Sequence, residues 1–373
     1  MPHSNLGRAR VEAPNEHGPG GPGGPPGPRG PGGGGGGGGG NPYRGGRARP
    51  RWRRIGLITL LVVVLVAGCG AVGAWAYARS LDGNLNRTDA FAGLTGGRPA
   101  KTVDGAQNIL LLGSDMRASW KQSGEKPRTD TIMLLHVDAD HDHAYLISIP
   151  RDMYVYVPSI KGADYGDTKT KINAAFAWGG VPLMVKTVEG FSGVRVDHVA
   201  IMDFDGFQKV TDALGGVHMY VDQTITSIHP PHRTFTKGWH DFNGAEALDY
   251  CRQRYQFADG DFSRARHQQQ FLKQLMKKAA STGTLSNPAK MNSFLHAATD
   301  VMTVDKDFHL VDQAVQFRSL RAKDITFMST PNQGTATIDG QSVVLSDKEK
   351  ASSLFDAVDK DTVGDWVKAN PQK

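Results

Sequence analysis

The chain has 373 residues and a formal net charge of +6, with a pI near 9.2, which suggests a nucleic-acid partner at first sight. The charge is unevenly placed, because residues 1–54 carry nine arginines against Glu12 and Glu16, whereas the rest of the chain carries 34 basic and 35 acidic side chains. A near-neutral body lacks the broad basic face that duplex binding requires, so composition argues against a DNA-binding domain.

Residues 1–54 are dominated by glycine, proline and arginine. Such a segment has too few apolar side chains to offset the entropy lost on ordering, so we expect a disordered tail. Its arginines could bind a partner or a phospholipid headgroup, but a solvated flexible segment is the simpler interpretation.

Residues 55–78, IGLITLLVVVLVAGCGAVGAWAYA, contain no charged side chain. At about 1.5 Å per residue, such a helix spans the roughly 30 Å hydrocarbon core of a bilayer. The arginines before it place the tail in the cytoplasm and the body outside the membrane. A cleaved signal peptide, or a lipoprotein cleavage box at Cys69, is the alternative, but the apolar run continues past Cys69. We therefore expect a single-pass transmembrane helix at 55–78, followed by a linker at 79–104.

From residue 105 to residue 373, short apolar runs alternate with helical patterns. Strands are predicted in NILLLGSD, TDTIMLLHVD, AYLISIPRD, VDHVAIMD, VHMYVD and DITFMSTP. Strands interleaved with helices are typical of an α/β fold, and we expect a three-layer α/β/α domain around a mixed sheet. This single extracytoplasmic domain would carry the function.

Several helices are predicted between these strands. KINAAFAWGG, VPLMVKTVEGF and FDGFQKVTDALGG have helical patterns, and the last one ends in a glycine pair suited to a C-cap. Asn243 followed by Glu246 forms a capping-box pattern at the start of another helix. SRARHQQQFLKQLMKKAA predicts a helix of about 18 residues with apolar positions at core spacing. Cys251 is interpreted as a small buried side chain rather than a nucleophile, which would need a stabilised thiolate.

Charged side chains cluster at the ends of the first three strands. Three pairs are found there: Asp115 with Arg117, Arg128 with Asp130, and Arg151 with Asp152. Ligands of open α/β sheets gather beyond strand ends. Mg²⁺ prefers one or two carboxylates with phosphate oxygens and water, and arginine offers paired donors to the same oxygens. Surface salt bridges would explain any single pair, but three pairs beside apolar strands favour a site for magnesium and a phosphate or pyrophosphate.

Further cationic side chains lie in YCRQR and in the helix that follows. Arg264, His267 and Gln268 share one stripe of that helix, whose first turn also offers unpaired N–H groups to an anion. Arg252 and Arg254 share a face only where the chain is extended, as the following FADGD suggests. These arginines therefore indicate a phosphate cradle rather than a nucleic-acid surface.

The ordered motifs NILLLGSDMR, RTDTIML, SIPRD, KINAAF, YCRQR and DFSRARHQ, after one predicted membrane helix, resemble the LytR–CpsA–Psr family. Each motif is weak alone, but the ordered set over residues 105–280 is specific. Members of that family are phosphotransferases of Gram-positive cell walls. The resemblance implies a Mg²⁺-dependent transfer of a glycopolymer from an undecaprenyl-pyrophosphate carrier to peptidoglycan, usually at the 6-hydroxyl of N-acetylmuramic acid.

The resemblance also implies roles for the matching positions. Catalytic roles fall to Asp115, Arg128, Asp130 and Arg151, of which Asp115 and Asp130 would hold the metal. Pyrophosphate would be bound by Arg117, Arg128, Arg151, Arg252, Arg254, Arg264 and Gln268. His267 stands where the family often has arginine, so it either donates when protonated or packs.

Three questions remain open at this level. Asp130, or Asp115 if the metal does not engage it, is the candidate base. Residues 174–191 could form the apolar channel that the carrier lipid needs, but core packing explains the same side chains. A non-catalytic polyprenyl-phosphate receptor and a regulator of cell envelope genes are the other functional classes, and the regulator fits poorly with a neutral body outside the membrane.

Overall fold

The structure, a computed structural model, describes residues 76–94, 96–114 and 129–371. Within them, the strands are β1 (Asn86–Thr88), β2 (Gln107–Ser114), β3 (Thr129–Val137), β4 (Ala144–Ser148), β5 (Tyr154–Val157), β6 (Thr168–Lys171), β7 (His198–Asp203), β8 (Val217–Val221), β9 (Ile225–Thr226), β10 (Thr234–Phe235), β11 (Gly238–Phe242), β12 (Thr303–Asp305), β13 (Ile325–Ser329), β14 (Asn332–Ile338) and β15 (Gln341–Ser346). The helices are α1 (76–84), α2 (Ala174–Ser192), α3 (Phe204–Ala213), α4 (Gly244–Arg252), α5 (Asp261–Ala279), α6 (Thr282–Leu285), α7 (Pro288–Val301), α8 (Leu310–Gln316), α9 (Lys348–Asp359) and α10 (Val363–Ala369).

The centre of the fold is a seven-stranded mixed sheet in the order β1-β12-β7-β2-β3-β4-β13. Strand β2 is parallel to β7 and antiparallel to β3, and β4 is antiparallel to β3 and parallel to β13. The five predicted strands in this sheet, β2, β3, β4, β7 and β13, are confirmed. Their apolar runs are nearly continuous because the central strands are buried on both faces. VHMYVD is confirmed as β8, which pairs with β11 in a separate two-stranded sheet.

Helices cover both faces of the sheet. Successive side chains of a strand point to opposite faces, so Leu110 and Leu112 lie on one face and Leu111 on the other. The first face packs with α2, α9 and α10 in the largest apolar cluster. The second face lies opposite apolar side chains of α3, α4 and α5. The predicted mixed α/β fold is therefore confirmed.

The segment predicted as a linker, 79–104, joins the folded domain. Strand β1 is the edge of the central sheet and runs parallel to β12, and Ala90 and Leu94 are buried in the main core. The sequence pattern hid this strand because its three residues, NRT, are polar and lie at an exposed edge.

The predicted tail at 1–54 lies outside the described residues, as does the predicted transmembrane run 55–78 except for its last three positions. Among the residues that the structure describes, no helix has both the length and the apolar character needed to cross a bilayer.

Helix α2 unites the two predicted helical segments and bends between them. Gly179 and Gly180 have non-helical backbone angles, and Gly180 has a φ of 63°. A Cβ atom at Gly179 would lie 2.6 Å from Cβ of Leu183, so the close approach requires glycine there. Because of this bend, the first part of α2, which ends at Trp178, runs in a different direction from the rest of the helix.

Two other helix predictions are confirmed. Asn243 and Glu246 form the reciprocal capping box at the start of α4. The long amphipathic helix is α5, which buries Phe271 in a second apolar cluster together with residues of α4 and of the β8–β11 pair.

The hairpin β14–β15 and the C-terminal helices α9 and α10 were not predicted. The hairpin turn is Asp339–Gly340, where both residues have positive φ, 49° and 73°, as a two-residue type I′ turn requires. The Asp-Gly pair was therefore a signal in the sequence for this hairpin.

Candidate functional site

Four of the predicted site residues line one small polar cavity at an end of the sheet. Asp130 is the second residue of β3, and Arg151 follows β4 after the Ile149–Pro150 pair. Arg264 and Gln268 lie one turn apart on α5, which brings both side chains to the same cavity. Residues from two strands and one helix, distant in sequence, thus converge as the motif order predicted.

The charges in this cavity are matched to one another. A guanidinium N–H of Arg151 donates to Oδ1 of Asp130, and Arg151 Nε also lies 3.7 Å from Oδ2 of Asp152. The other oxygen of Asp152 is 3.2 Å from Nζ of Lys171. Arg264 is a buried charged residue, with only 7% of its surface exposed. A phosphate entering this cavity would therefore compete with Asp130 for Arg151.

An apolar cavity of about 190 Å³ lies on one side of the polar cavity. Its walls come from the second face of the sheet and from α3, α4 and α5, and they include Leu111, Met133, Ala200, Phe204, Phe207, Leu248, Phe271, Leu272 and Leu275. Gln268 and Thr131 line both this cavity and the polar one. The two spaces are thus neighbours that share two side chains.

Residues 174–191 do not line the apolar cavity. Seven of their apolar side chains, Ala175, Phe176, Val181, Leu183, Met184, Val185 and Val188, are buried in the main core on the opposite face of the sheet. Of the two interpretations of this segment, core packing is the one observed. The channel interpretation stays a prediction for the start of the segment, because Ala174, Ala177 and Trp178 line the wide cleft described next.

A wide cleft of about 1020 Å³ lies on the other side of the polar cavity. Arg151 and Phe262 line both spaces. The cleft is bounded by the start of α2, the 254–262 segment and the hairpin β14–β15. Apolar cavity, polar cavity and wide cleft therefore follow one another, and Gln268 and Arg151 mark the two junctions.

Arg252 and Arg254 point into different spaces. Helix α4 ends at Arg252, and Gln253 is extended, with φ −69° and ψ 136°. Arg252 lines the apolar cavity, where its guanidinium lies 4.6 Å from the centre of the Phe204 ring. Arg254 lines the wide cleft and stacks on Tyr255 at 4.4 Å. The expected extended backbone at Gln253 is confirmed, and the two side chains line different spaces.

The buried amide of Gln253 separates the two arginines. Its Nε2 donates to Oδ1 of Asp249 at 2.7 Å and to the Ser227 hydroxyl at 2.8 Å. Asp249 is itself buried, and its second oxygen lies 3.3 Å from Arg233. A polar side chain buried between two arginines was not recognised in the sequence, because YCRQR reads as uniformly polar around the cysteine.

His267 packs rather than binding the cavity. It is 4% exposed, its Nε2 lies 3.2 Å from the Tyr250 hydroxyl, and Phe257 contacts its ring edge. Burial lowers the pKa of His267 below its usual value, and the nearby carboxylate of Asp222 offsets this only in part. Cys251 is also buried, and burial raises the pKa of its thiol, which fits a packing role.

Asp115, Arg117 and Arg128 lie outside the described residues, so their predicted roles stay predictions. The residues that flank this gap, Ser114 and Thr129, are partners in the sheet. Ser114 is also paired with Asp203, the last residue of β7, whose side chain caps α3 and lines the apolar cavity. Sequence reasoning did not assign Asp203, although its position at the end of VAIMD repeats the pattern of NILLLGSD.

Of the two carboxylates predicted to hold magnesium, the described residues include only that of Asp130, which is paired with Arg151. The residues that the structure describes contain no cluster of three acidic, histidine or cysteine side chains able to hold a metal ion. Mg²⁺ usually takes only one or two carboxylates and completes its coordination with substrate phosphates and water. Asp130 supplies one carboxylate at the polar cavity, which fits that requirement.

This chain is similar to one known protein family and to several known proteins. The model of the LytR–CpsA–Psr family matches residues 81–360. The cell wall biosynthesis protein LcpA of Corynebacterium glutamicum is 29% identical over 349 residues, covering 82% of this chain and 65% of LcpA. The probable cell wall biosynthesis protein LcpB of that species is 33% identical over 316 residues, covering 82% and 69%. The chain thus spans about two thirds of the length of these relatives.

Among solved structures, TagT bound to LI-WTA superposes with a TM-score of 0.54 at 22% identity, covering 74% of this chain and 100% of TagT. At this identity the likeness concerns the fold.

Proposed function

Because the chain belongs to the LytR–CpsA–Psr family, we propose that it is a Mg²⁺-dependent phosphotransferase of cell wall assembly. It moves a glycopolymer from an undecaprenyl-pyrophosphate carrier to the 6-hydroxyl of N-acetylmuramic acid in peptidoglycan. The observation that carries this proposal is the succession of apolar cavity, polar cavity and wide cleft. Lipid, pyrophosphate and sugar follow one another in the carrier in the same order.

The apolar cavity binds the part of the lipid nearest to the pyrophosphate. Its lining is mostly apolar, and the polar side chains that reach it are few: Thr131, Asp203, Arg252 and Gln268. Burial of isoprenoid carbon there gains roughly 25 cal/mol for each Å² of apolar surface removed from water. The Arg252 guanidinium, held over Phe204, meets the first charged group beyond the lipid.

The free space of the polar cavity is only about 20 Å³, so the pyrophosphate enters by replacing an internal ion pair there. Arg151 is paired with Asp130, so a phosphate oxygen takes the place of that carboxylate, and Asp130 is released for a cation or a proton. Arg264 and the Gln268 amide supply further donors to the same phosphates. The buried environment makes these charge-assisted contacts stronger than they would be in water.

The reaction exchanges one phosphate ester for another. The acceptor hydroxyl attacks the phosphorus on the sugar side, a P–O bond forms, the bridging P–O bond breaks, and undecaprenyl phosphate leaves. A carboxylate oxygen of Asp130 that the metal does not engage would take the hydroxyl proton once Arg151 has turned to the phosphate. Arg151 and Arg264 stabilise charge on the transferring group, and the rest of the rate enhancement comes from positioning.

Asp130, together with Asp115, would hold the Mg²⁺ ion, which when bound neutralises charge on the phosphate oxygens. The magnesium requirement is part of the proposal.

The predicted helix at 55–78 anchors the chain with its N-terminus in the cytoplasm, which brings the domain to the membrane surface where a lipid carrier is found. The descriptions of two similar proteins support a role in cell wall assembly. LcpA is a cell wall biosynthesis protein, and the structure of TagT has been solved with LI-WTA bound.

The test is a transfer assay with the full-length chain in detergent micelles. The donor is a short glycan on polyprenyl pyrophosphate, the acceptor is a peptidoglycan oligomer, and mass spectrometry detects the phosphodiester product with and without Mg²⁺. We expect product only with Mg²⁺, and its loss in Asp130→Ala and Arg151→Ala. Arg318→Ala, an exposed arginine outside the three spaces, is the matched control.

Tight binding of the donor without product, across several glycans and acceptors, would instead support a polyprenyl-phosphate receptor. Product formation that is unchanged in Arg151→Ala would refute the placement of the site in the polar cavity.

A further inference from the structure

The connection between α5 and α7 is positively charged and contains no acidic side chain. Residues 277–290, KKAASTGTLSNPAK, include Lys277, Lys278 and Lys290, and we call this segment the α5–α7 corner. The ammonium groups of these lysines form no ion pair with any residue that the structure describes. Residues 79–373 as a whole carry 34 basic and 35 acidic side chains, so the corner departs from the balance of the body. Such a surface attracts an anionic partner.

An exposed leucine lies in the middle of the corner. Leu285 is the last residue of α6 and is 60% exposed. Single exposed leucines are common on protein surfaces, but this one lies between two groups of lysines, and its neighbours at 282–283 and 286–289 are exposed and uncharged. An apolar side chain flanked by lysines suits the interface of an anionic bilayer, where the apolar group enters the acyl boundary and the ammonium groups stay among the headgroups.

The backbone on both sides of Leu285 is held by local hydrogen bonds. The hydroxyl of Thr284, a buried residue, donates to the carbonyl of Lys278 at 2.9 Å. The side chain of Asn287 accepts the N–H of Lys290 at 3.0 Å and caps the start of α7. The exposure of Leu285 is therefore set by the fold, and a partner that binds it does not have to order this segment first.

The chain enters the folded domain beside the corner. The predicted membrane run 55–78 ends one residue after Tyr77, whose hydroxyl donates to Oδ1 of Asn292 at 2.7 Å. Asn292 follows the corner by two residues. The N–H of Asn86, after α1, donates to the carbonyl of Met302, after α7, so the two helices run in the same direction and α1 begins on the corner side. The outer end of the predicted membrane helix thus lies next to the corner.

Helix α5 connects the corner to the polar cavity. Arg264 lies in the first part of α5 and Lys278 in its last turn. The 14 positions between them correspond to roughly 21 Å at about 1.5 Å per residue. Leu272 and Leu275, which line the apolar cavity, lie between these two ends. A bilayer that contacts the corner would therefore have the apolar cavity between itself and the polar cavity.

We propose that the α5–α7 corner docks on the surface of an anionic bilayer, with Leu285 in the interface and Lys277 and Lys278 among the headgroups. This inference rests on the membrane anchor at 55–78 that is part of the proposed function, and it does not depend on transferase activity. A single membrane helix fixes the distance of the domain from the bilayer but not its tilt. The corner supplies a second contact, which sets the orientation of the domain.

The experiment measures the depth of residue 285 in the full-length chain reconstituted in nanodiscs. The nanodiscs contain phosphatidylcholine alone or mixed with phosphatidylglycerol. A nitroxide is attached to Leu285→Cys in a Cys69→Ser background, where the remaining cysteine, Cys251, is buried. Relaxation of the nitroxide by oxygen reports the bilayer, and relaxation by a water-soluble nickel chelate reports water. Ile228→Cys, an exposed apolar position that lies next to Gln253, is the matched control.

A charge variant tests the electrostatic part of the contact. It combines Lys277→Gln with Lys278→Gln, and its matched control combines Lys348→Gln with Lys350→Gln, two exposed lysines of the first turn of α9. In anionic nanodiscs we expect the label at 285 to be shielded from nickel and relaxed by oxygen, and the label at 228 to stay in water. Each lysine near an anionic surface contributes about fivefold, so the charge variant should lower the ratio of docked to undocked domains about 25-fold. High salt should act in the same direction.

Three results would overturn the docking surface. The first is a label at 285 that is as accessible to nickel in anionic nanodiscs as the label at 228, and the second is shielding that is unchanged in the charge variant. The third is shielding by polyglutamate in neutral nanodiscs without shielding by anionic lipid, which would assign the corner to an acidic polymer. Release of the chain from the nanodiscs in high salt would refute the anchor and this inference with it. Absence of product in the transfer assay, with the label at 285 shielded, would refute the transferase and leave the docking surface in place.

Discussion

The buried amide of Gln253 gives the sharpest test of how this site is held. Leucine is close to glutamine in volume but cannot form hydrogen bonds, so Gln253→Leu keeps the packing and removes the polar contacts. We expect the substitution to lower the free energy of unfolding and to weaken the placement of both Arg252 and Arg254.

The magnitude follows from the contacts that are lost. Gln253 is fully buried and donates at 2.7 Å to the carboxylate of Asp249, which is only 4% exposed. Loss of a hydrogen bond to a buried charged group costs about 1.5–3 kcal/mol. The side-chain oxygen of Gln253 also accepts from Gln256 at 2.7 Å and from the N–H of Ile228 at 3.3 Å, which adds about 1 kcal/mol because water can reach these partly buried donors. The total is about 2.5–4 kcal/mol.

Urea unfolding of the full-length chain in detergent micelles, followed by tryptophan fluorescence, measures this difference. Gln223→Leu is the matched control, because Gln223 is an exposed glutamine near the same segment, and it should change the free energy of unfolding by less than about 0.5 kcal/mol. Calorimetry with farnesyl diphosphate under conditions where both variants are folded should show weaker binding for Gln253→Leu alone.

A double-mutant cycle that combines Gln253→Leu with Asp249→Asn isolates the interaction between the two side chains. We expect a coupling free energy of about 0.5–3 kcal/mol. A destabilisation below about 1 kcal/mol, or a coupling near zero, would refute the view that this buried contact organises the two arginines.

Three further predictions concern stability and reactivity. Arg98→Ala should destabilise the fold by about 3–5 kcal/mol in urea unfolding, since it leaves the buried carboxylate of Glu189 without its bidentate partner; Arg318→Ala should not. His267 has a lowered pKa in the folded state, so the unfolded chain binds more protons below about pH 6.5 and stability falls there by at most about 1.4 kcal/mol per pH unit. Unfolding at pH 7.5 and 5.5 should show a smaller difference in His267→Gln, and an unchanged difference would contradict this. Cys251 should react with a thiol reagent only as fast as the chain unfolds, and rapid labelling of the native protein would contradict its burial.

Local sequence patterns predicted the centre of the fold. The four strands β2, β3, β4 and β7 are apolar runs bounded by polar residues, and each is long enough to be recognised without a partner. The helix cap formed by Asn243 and Glu246 could also be predicted from the sequence, because both residues lie within one turn of helix. In contrast, β1 and β12 have three residues each and exist only because they pair with each other and with β7.

The sequence also predicted which residues form the site, but it did not predict which space each side chain enters. Asp130, Arg151, Arg264 and Gln268 were predicted together, and the structure brings them to one cavity. Their assignment to metal and pyrophosphate stays a prediction. The sequence could not show that the Arg252 side chain enters the apolar cavity, because that depends on where the helix ends relative to the sheet.

The sequence by itself determined the α/β class, the central strands and the family, since each depends on side-chain order over a few residues or on an ordered set of short motifs. Only the tertiary structure decided which apolar surface is core and which lines a cavity. Residues 174–191 and the α3–α5 surface are both apolar, and they differ only in the face of the sheet that they cover. The same holds for the split of Arg252 from Arg254, which depends in part on Gln253 reaching the Ser227 hydroxyl, a contact made across 26 positions of chain. Contacts between segments far apart in sequence set these features, and no local pattern encodes them.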